Sequence, residues 1–95
     1  MNEHDSLENK KILTAYKSAI SRYIRSCMVL QDVKYDDLVI ALADKGIVLT
    51  ASNLRNKVSK GLFSADMFVV LLEILHMTDN PMEAILKLTH DQSSY

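Results

Sequence analysis

The sequence predicts an all-α protein, a compact five-helix bundle with a central helix-turn-helix. Ninety-five residues suffice for one domain with its own core, and the composition is that of a globular protein, with 48% apolar and 24% charged residues. Two glycines and one proline leave little material for the turns of a β-protein. We therefore predict a single helical domain over residues 1–95.

The first helix is predicted to be long and to begin at Asp5 or Ser6, because either side chain can accept hydrogen bonds from first-turn amides. Its apolar stripe, with spacings of three and four, consists of Ile12, Tyr16, Ala19, Ile20, Tyr23, Ile24 and Cys27. The stripe predicts a face turned toward a core or a partner, and the pattern ends between Met28 and Gln31. Cys27, the single cysteine, excludes an intrachain disulfide and favours a reducing compartment.

Two short helices are predicted next, over residues 35–45 and 51–60, and together they form the helix-turn-helix over residues 35–60. Gly46 and Gly61 follow them, and a glycine in the left-handed conformation commonly closes a helix. Two short helices joined by a tight glycine-containing turn are the geometry of the DNA-binding helix-turn-helix.

Ser64 is predicted to cap a fourth helix that carries residues 68–75, which are apolar on nearly every side. Either the other helices surround this helix or part of it is buried in a homodimer. Pro81 marks the start of a fifth helix that should end near Leu88, with residues 89–95 as a frayed tail.

The third helix carries the functional prediction. Thr50 or Ser52 can cap it, and Ala51, Leu54 and Val58 share one face that should point inward. The side chains left for solvent are Ser52, Asn53, Arg55, Asn56, Lys57, Ser59 and Lys60. Asparagine can pair bidentately with adenine and arginine with guanine, while serine and lysine can hold phosphates.

The charge distribution favours the same helix. The net charge of −1 gives no general support to nucleic-acid binding, but residues 51–63 contain three basic residues and no acidic one. Residues 64–95, in contrast, contain one basic and five acidic residues. The third helix is therefore a basic stretch without a carboxylate that would repel a phosphate backbone.

The run over residues 35–75 resembles the lambda-repressor-like, Cro-type helix-turn-helix class. It is more closely similar to an uncharacterised bacterial family with a tyrosine, an acidic pair and a serine-basic-glycine core. The matching positions are Tyr35, Asp36, Asp37, Leu38, Gly46, Ile47, Asn53, Leu54, Lys57, Ser59, Lys60, Gly61, Phe63, Ser64 and Ala65. The chain departs from the repressor class at Val39, where alanine is usual, at Lys34, where a Thr or Ser cap is usual, and in about three extra residues before Gly46. The resemblance implies a helix-turn-helix fold and DNA binding.

We predict a DNA-binding transcriptional regulator, a homodimer on double-stranded DNA, with helix one or helix five supplying the interface. Ser52, Asn53, Arg55 and Asn56 are the residues expected near base edges. Lys57, Ser59, Lys60 and Lys45 are those expected near phosphates. The open alternative is a protein-interaction module, such as a mobile-element-encoded inhibitor or adaptor on the same scaffold, since fold does not fix function. RNA binding is a third possibility, disfavoured because few aromatic stacking platforms are present.

The sequence does not indicate an enzyme, a metal-binding protein or a membrane protein. His4, His76 and His90 lie far apart without a metal-binding spacing, and no nucleophile turn or phosphate loop is visible. We therefore predict no enzyme activity, no metal and no cofactor. The polar N-terminus carries no signal-peptide pattern and no apolar stretch is long enough to cross a bilayer, which predicts a cytoplasmic location without a membrane partner.

Overall fold

The computed structural model describes residues 3–77 and 80–93, which form five α-helices and no strand. The helices are α1 (Glu3–Gln31), α2 (Tyr35–Asp44), α3 (Ala51–Lys60), α4 (Ala65–Ile74) and α5 (Pro81–Ser93). The predicted all-α bundle is confirmed. No helix in these ranges is long and apolar enough to cross a membrane.

Helix α1 is the centre of the bundle. Both α5 and α3 pack against it, and α2 packs against α3. Ala19, Ile24 and Cys27 of the predicted stripe are almost fully buried, whereas Ile12 and Tyr16 of the same stripe are exposed. The other helices add Leu38, Leu42, Leu54, Val58, Leu71, Leu75 and Ile85 to the core. Burial raises the pKa of the Cys27 thiol.

The expectation that other helices surround helix four is wrong. Helix α4 buries Leu71 fully, and Leu75 directly after it, but leaves Val69 62% exposed. Helix α1 occupies the central position instead. Its buried side chains are spread over a wide arc of its surface, and both α3 and α5 pack against it. The alternative, that part of α4 is covered in a homodimer, stays a prediction.

Two predicted helix ends are wrong. Helix α1 begins at Glu3, ahead of Asp5 and Ser6, and α5 continues through Ser93 rather than ending near Leu88. Thr89, placed in the predicted frayed tail, is 4% exposed and its hydroxyl donates to the Ile85 carbonyl at 2.9 Å. It lies one turn after the buried Ile85, so the inward face extends past Leu88. Residues 94–95 of the predicted tail lie outside the described residues.

Side chains at the N-termini of α2 and α4 form local hydrogen bonds. The Asp37 carboxylate accepts the Lys34 amide at 2.9 Å, which satisfies a donor that the helix leaves unpaired. Ser64 precedes α4 as predicted, but its side chain forms no capping hydrogen bond. It interacts with Asp66 instead, and this hydrogen bond holds the pKa of the Asp66 carboxyl below its usual range.

Four helices end in the same way. A residue in the left-handed conformation follows each helix, and its amide and the next amide donate back to carbonyls of the last turn. Gly46 closes α2 and Gly61 closes α3, as predicted. Asp32, with φ of 55°, closes α1, and His76, with φ of 57°, closes α4. These Schellman closures turn the chain within a few residues and so keep the connections short.

Ser21 is a polar residue in the core, and its replacement by alanine is expected to stabilise the protein. The side chain is 2% exposed, and its hydroxyl has no hydrogen-bond partner among the described residues. We expect Ser21→Ala to raise the free energy of unfolding by about 1 kcal/mol, because an unpaired buried hydroxyl is removed and helix propensity improves. Urea denaturation measures this change. Ser26→Ala, at an exposed position of α1, reports the propensity contribution alone. A Ser21→Ala variant less stable than Ser26→Ala would contradict the expectation.

Candidate nucleic-acid interface

Helix α3 is held in one orientation by its cap and by two core residues. The Thr50 hydroxyl oxygen accepts the Asn53 amide at 3.1 Å, so Thr50 rather than Ser52 is the cap. Leu54 and Val58 are fully buried and Ala51 is partly buried. The inward seam predicted from the sequence is confirmed.

The opposite side of α3 is open to solvent. Its exposed residues are Ser52, Asn53, Arg55, Asn56, Lys57, Ser59 and Lys60, and we call this surface the α3 face. The predicted side chains therefore lie together on one helix, without a carboxylate among them. Three cations in ten residues make this surface positive, whereas net charge over the whole chain is −1. The role of these residues in binding DNA stays a prediction.

Arg55 has a partner that sequence reasoning missed. Its guanidinium carbon lies 5.2 Å from the centre of the Tyr35 ring, at the start of α2. A cation over an aromatic face is attracted by the ring, so the Arg55 side chain is directed toward the N-terminus of α2. Twenty residues separate the two side chains, and no local pattern predicts such a contact.

Lys45 does not belong to α3. It follows α2, and its ammonium donates to the Glu73 carboxylate of α4. This hydrogen bond and the charge of Lys45 hold the pKa of the Glu73 carboxyl below its usual range. The lysine side chain keeps 40% of its surface exposed, so the pair is accessible to solvent. A phosphate can therefore compete with Glu73 for the Lys45 ammonium.

The last turn of α3 is anchored to α1. The Ser59 hydroxyl donates to the Asn56 carbonyl at 3.2 Å, a local bond that leaves its oxygen free to accept another hydrogen bond. Gly61 follows, and a Cβ added to it would lie 2.0 Å from the Lys17 carbonyl oxygen of α1. The backbones of the two elements therefore approach so closely that only glycine fits, which fixes where α3 ends relative to α1.

The absence of a catalytic or metal-binding site stays a prediction. In the described part of the chain, no group of three His, Cys, Asp or Glu residues is placed to hold a metal ion.

Fold and surface together define a small all-α domain that presents the polar, basic side of α3 to solvent. Comparison with protein families matches residues 16–79 to the family described as Domain of unknown function (DUF6471). The match covers more than half of the chain, and the chain belongs to this family. Comparisons with curated proteins and with solved structures find no match. The expected membership of an uncharacterised domain family is confirmed, and the resemblance to the lambda-repressor-like class stays a prediction.

Proposed function

We propose that this protein is a sequence-specific DNA-binding transcriptional regulator that uses α3 as its recognition helix. The observation that carries the proposal is the division of α3 into two sides. One side buries Leu54 and Val58, and the other exposes two asparagines, one arginine and two lysines without any carboxylate. Such a helix is fastened to its domain while its polar side stays available to a major groove.

The placement of α2 supports this proposal. Helices α2 and α3 are ten residues each, pack against each other, and are joined by residues 45–50. In a helix-turn-helix the first of two such helices crosses the backbone and the second enters the groove. Asn53, Asn56 and Arg55 then serve as the base-reading side chains, with Ser52 beside them. The phosphate contacts fall to Lys57, Ser59, Lys60 and, once it exchanges Glu73 for a phosphate, Lys45.

A homodimer is part of the proposal, because one ten-residue helix reads few base pairs and two copies related by a two-fold axis read two half-sites. Helix α1 offers the surface for it. Its N-terminal half leaves Ile12 59%, Leu13 51% and Tyr16 43% exposed. Leu13 and Tyr16 line a groove of about 480 Å³ with Leu62 and other residues of the α3–α4 turn. We call these four exposed residues the α1 patch.

The proposal is tested by fluorescence anisotropy with DNA chosen by repeated selection from a random pool. We expect binding that weakens steeply with salt, because cations on the protein displace counterions. The combined change Arg55→Ala and Asn56→Ala should weaken binding to the selected site by about 100-fold or more, since each bidentate base contact contributes roughly 1–3 kcal/mol. Lys87→Ala, at an exposed cation of α5, is the matched control and should leave binding unchanged. Binding insensitive to both salt and the double change would reject the proposal.

A protein-interaction module is the second candidate, and the α1 patch is the observation that favours it. Contiguous exposed apolar surface often marks a protein-binding site. This candidate predicts a stoichiometric complex with a different chain that Leu13→Glu abolishes and that the Arg55 and Asn56 changes leave intact. The regulator proposal predicts that the same two α3 changes remove DNA binding. The two variants therefore separate the candidates.

A further inference from the structure

A cleft of about 590 Å³ opens where α1 meets α2, beside the α3 face. Its wall is formed by Met28 and Val29 of α1, Val33 of the connecting turn and Tyr35 of α2. Its rim is charged and includes Arg55 of α3. We call it the α1–α2 cleft. Nothing in the proposed DNA contacts requires an apolar wall at this place.

The wall offers apolar surface of the kind that binds a ring or a short hydrocarbon chain. Met28 is 6% exposed, and Val33 and Tyr35 are partly buried in the core cluster. The wall is therefore backed by packed side chains, and a ligand resting on it gains apolar burial. A bare phosphate gains nothing from such a wall, because it has no apolar part to place there.

The rim carries a small excess of positive charge. Arg25, Lys34 and Arg55 contribute three cations, against the two carboxylates of Asp32 and Asp36. Arginine is suited to bidentate recognition of a carboxylate or a similar planar anion. The excess of one positive charge matches a ligand with a single negative charge better than one with several.

Asp32 places a second kind of polar group at the same cleft. It closes α1 in the left-handed conformation, with φ of 55°, where glycine is the usual residue. Glycine would relieve the backbone but would supply no side chain. The aspartate places a carboxylate on the rim that can accept a hydrogen bond from a ligand or orient a neighbouring cation.

We propose that the α1–α2 cleft binds an amphipathic organic anion. Its aromatic or aliphatic body rests on Val29, which is 82% exposed, and on the neighbouring Met28 and Val33. Its anionic group pairs with Arg25 and with Arg55, whose guanidinium lies over the Tyr35 ring. The ligand competes with DNA for Arg55, because one guanidinium cannot pair with the ligand and read a base at once. This coupling rests on the proposed function, whereas ligand binding itself does not. The cleft is thus an effector site that weakens DNA binding when it is filled.

The first experiment measures ligand binding without DNA, using 2-naphthoate as the probe. Two reference compounds are 2-naphthalenemethanol, which lacks the charge, and inorganic phosphate, which lacks the apolar body. We expect saturable binding of one 2-naphthoate per chain by titration calorimetry, at least tenfold tighter than either reference compound. Amide NMR shifts should cluster at residues 28–36 and at Arg55.

Variants test whether the named cations hold the anion. Arg25→Ala and Arg55→Ala should each weaken 2-naphthoate binding by about tenfold, since each removes a charge-assisted contact. Lys87→Ala, outside the cleft, should leave it unchanged. Circular dichroism establishes that each variant is folded. Equal binding of naphthoate and its alcohol, shifts confined to the groove beside Leu13, or full binding by both arginine variants would overturn the site.

The second experiment tests the coupling. Saturating 2-naphthoate should weaken binding to the selected DNA, and the same DNA should weaken naphthoate binding by the same factor, because linkage is reciprocal. Naphthoate binding by a protein that binds no DNA would reject the proposed function and retain the cleft. DNA binding unchanged by saturating naphthoate would overturn the coupling and retain both separate sites.

Discussion

Replacing Gly61 with alanine is expected to lower the free energy of unfolding by roughly 3–5 kcal/mol, a large part of the roughly 5–15 kcal/mol that holds a small domain folded. Two effects add. Gly61 has φ of 62°, a conformation that costs an alanine about 1–2 kcal/mol. The new Cβ would also lie 2.0 Å from the Lys17 carbonyl oxygen. Since that atom belongs to the backbone of α1, no rotamer change removes the clash.

Relief of the clash requires α3 to move away from α1. Leu54 and Val58 of α3 are fully buried, so such a movement exposes apolar surface that is now packed. The α3 face would change its position relative to the rest of the domain at the same time. We therefore expect loss of DNA binding together with loss of stability in this variant.

Gly46→Ala is the matched control for this prediction. Gly46 has φ of 88°, but an added Cβ finds nothing within 4 Å. Only the backbone penalty remains, so we expect a loss of about 1 kcal/mol. Thermal and urea denaturation of both variants measure the difference. Similar losses for Gly46→Ala and Gly61→Ala would contradict the close approach of α3 and α1.

The two glycines also show what the sequence alone could predict. Glycine after an apolar helical pattern predicted the ends of α2 and α3, because its lack of a side chain makes it the usual closing residue. The same closure at Asp32 and His76 was not predicted, since aspartate and histidine adopt the left-handed conformation only where the surrounding structure stabilises it. The sequence therefore predicts a helix end that is closed by glycine, but not one closed by a residue that needs support from the surrounding structure.

Periodicity was informative for α3 and misleading for α4. In α3 the contrast between Leu54, Val58 and their polar neighbours is strong, so the inward and outward sides could be predicted and are confirmed. In α4 nearly every residue is apolar, and the pattern contains no information about which side is covered. Which residues of α4 are buried depends on how the other helices pack around α1, and a local sequence pattern does not contain that information.

Contacts between distant parts of the chain account for what the sequence missed at the candidate site. The residue types of the α3 face follow from one helix, and their common exposure could therefore be predicted. The contact of Arg55 with Tyr35 and the pairing of Lys45 with Glu73 join different helices. Each contact restricts the position of the side chains that form it, and each depends on how the helices pack.

The Leu13→Glu variant is expected to be monomeric at concentrations where the proposed dimer of the natural protein forms, with a dimer dissociation constant raised by about 100-fold or more. Leu13 is 51% exposed at the centre of the α1 patch, so a dimer through this patch buries the substituted position. A glutamate there would be buried without a partner in both copies. Sedimentation equilibrium measures the change.

Leu30→Glu is the matched control, because Leu30 lies on the same helix and is 76% exposed outside the α1 patch. The folded monomer should tolerate both changes, since neither side chain belongs to the buried core. If DNA is read by two linked copies, Leu13→Glu should also weaken binding to a two-fold site by about 100-fold or more, while binding to a half-site stays the same. A natural protein that is monomeric both free and on DNA, or a Leu13→Glu variant that still dimerises, would contradict a dimer through the α1 patch.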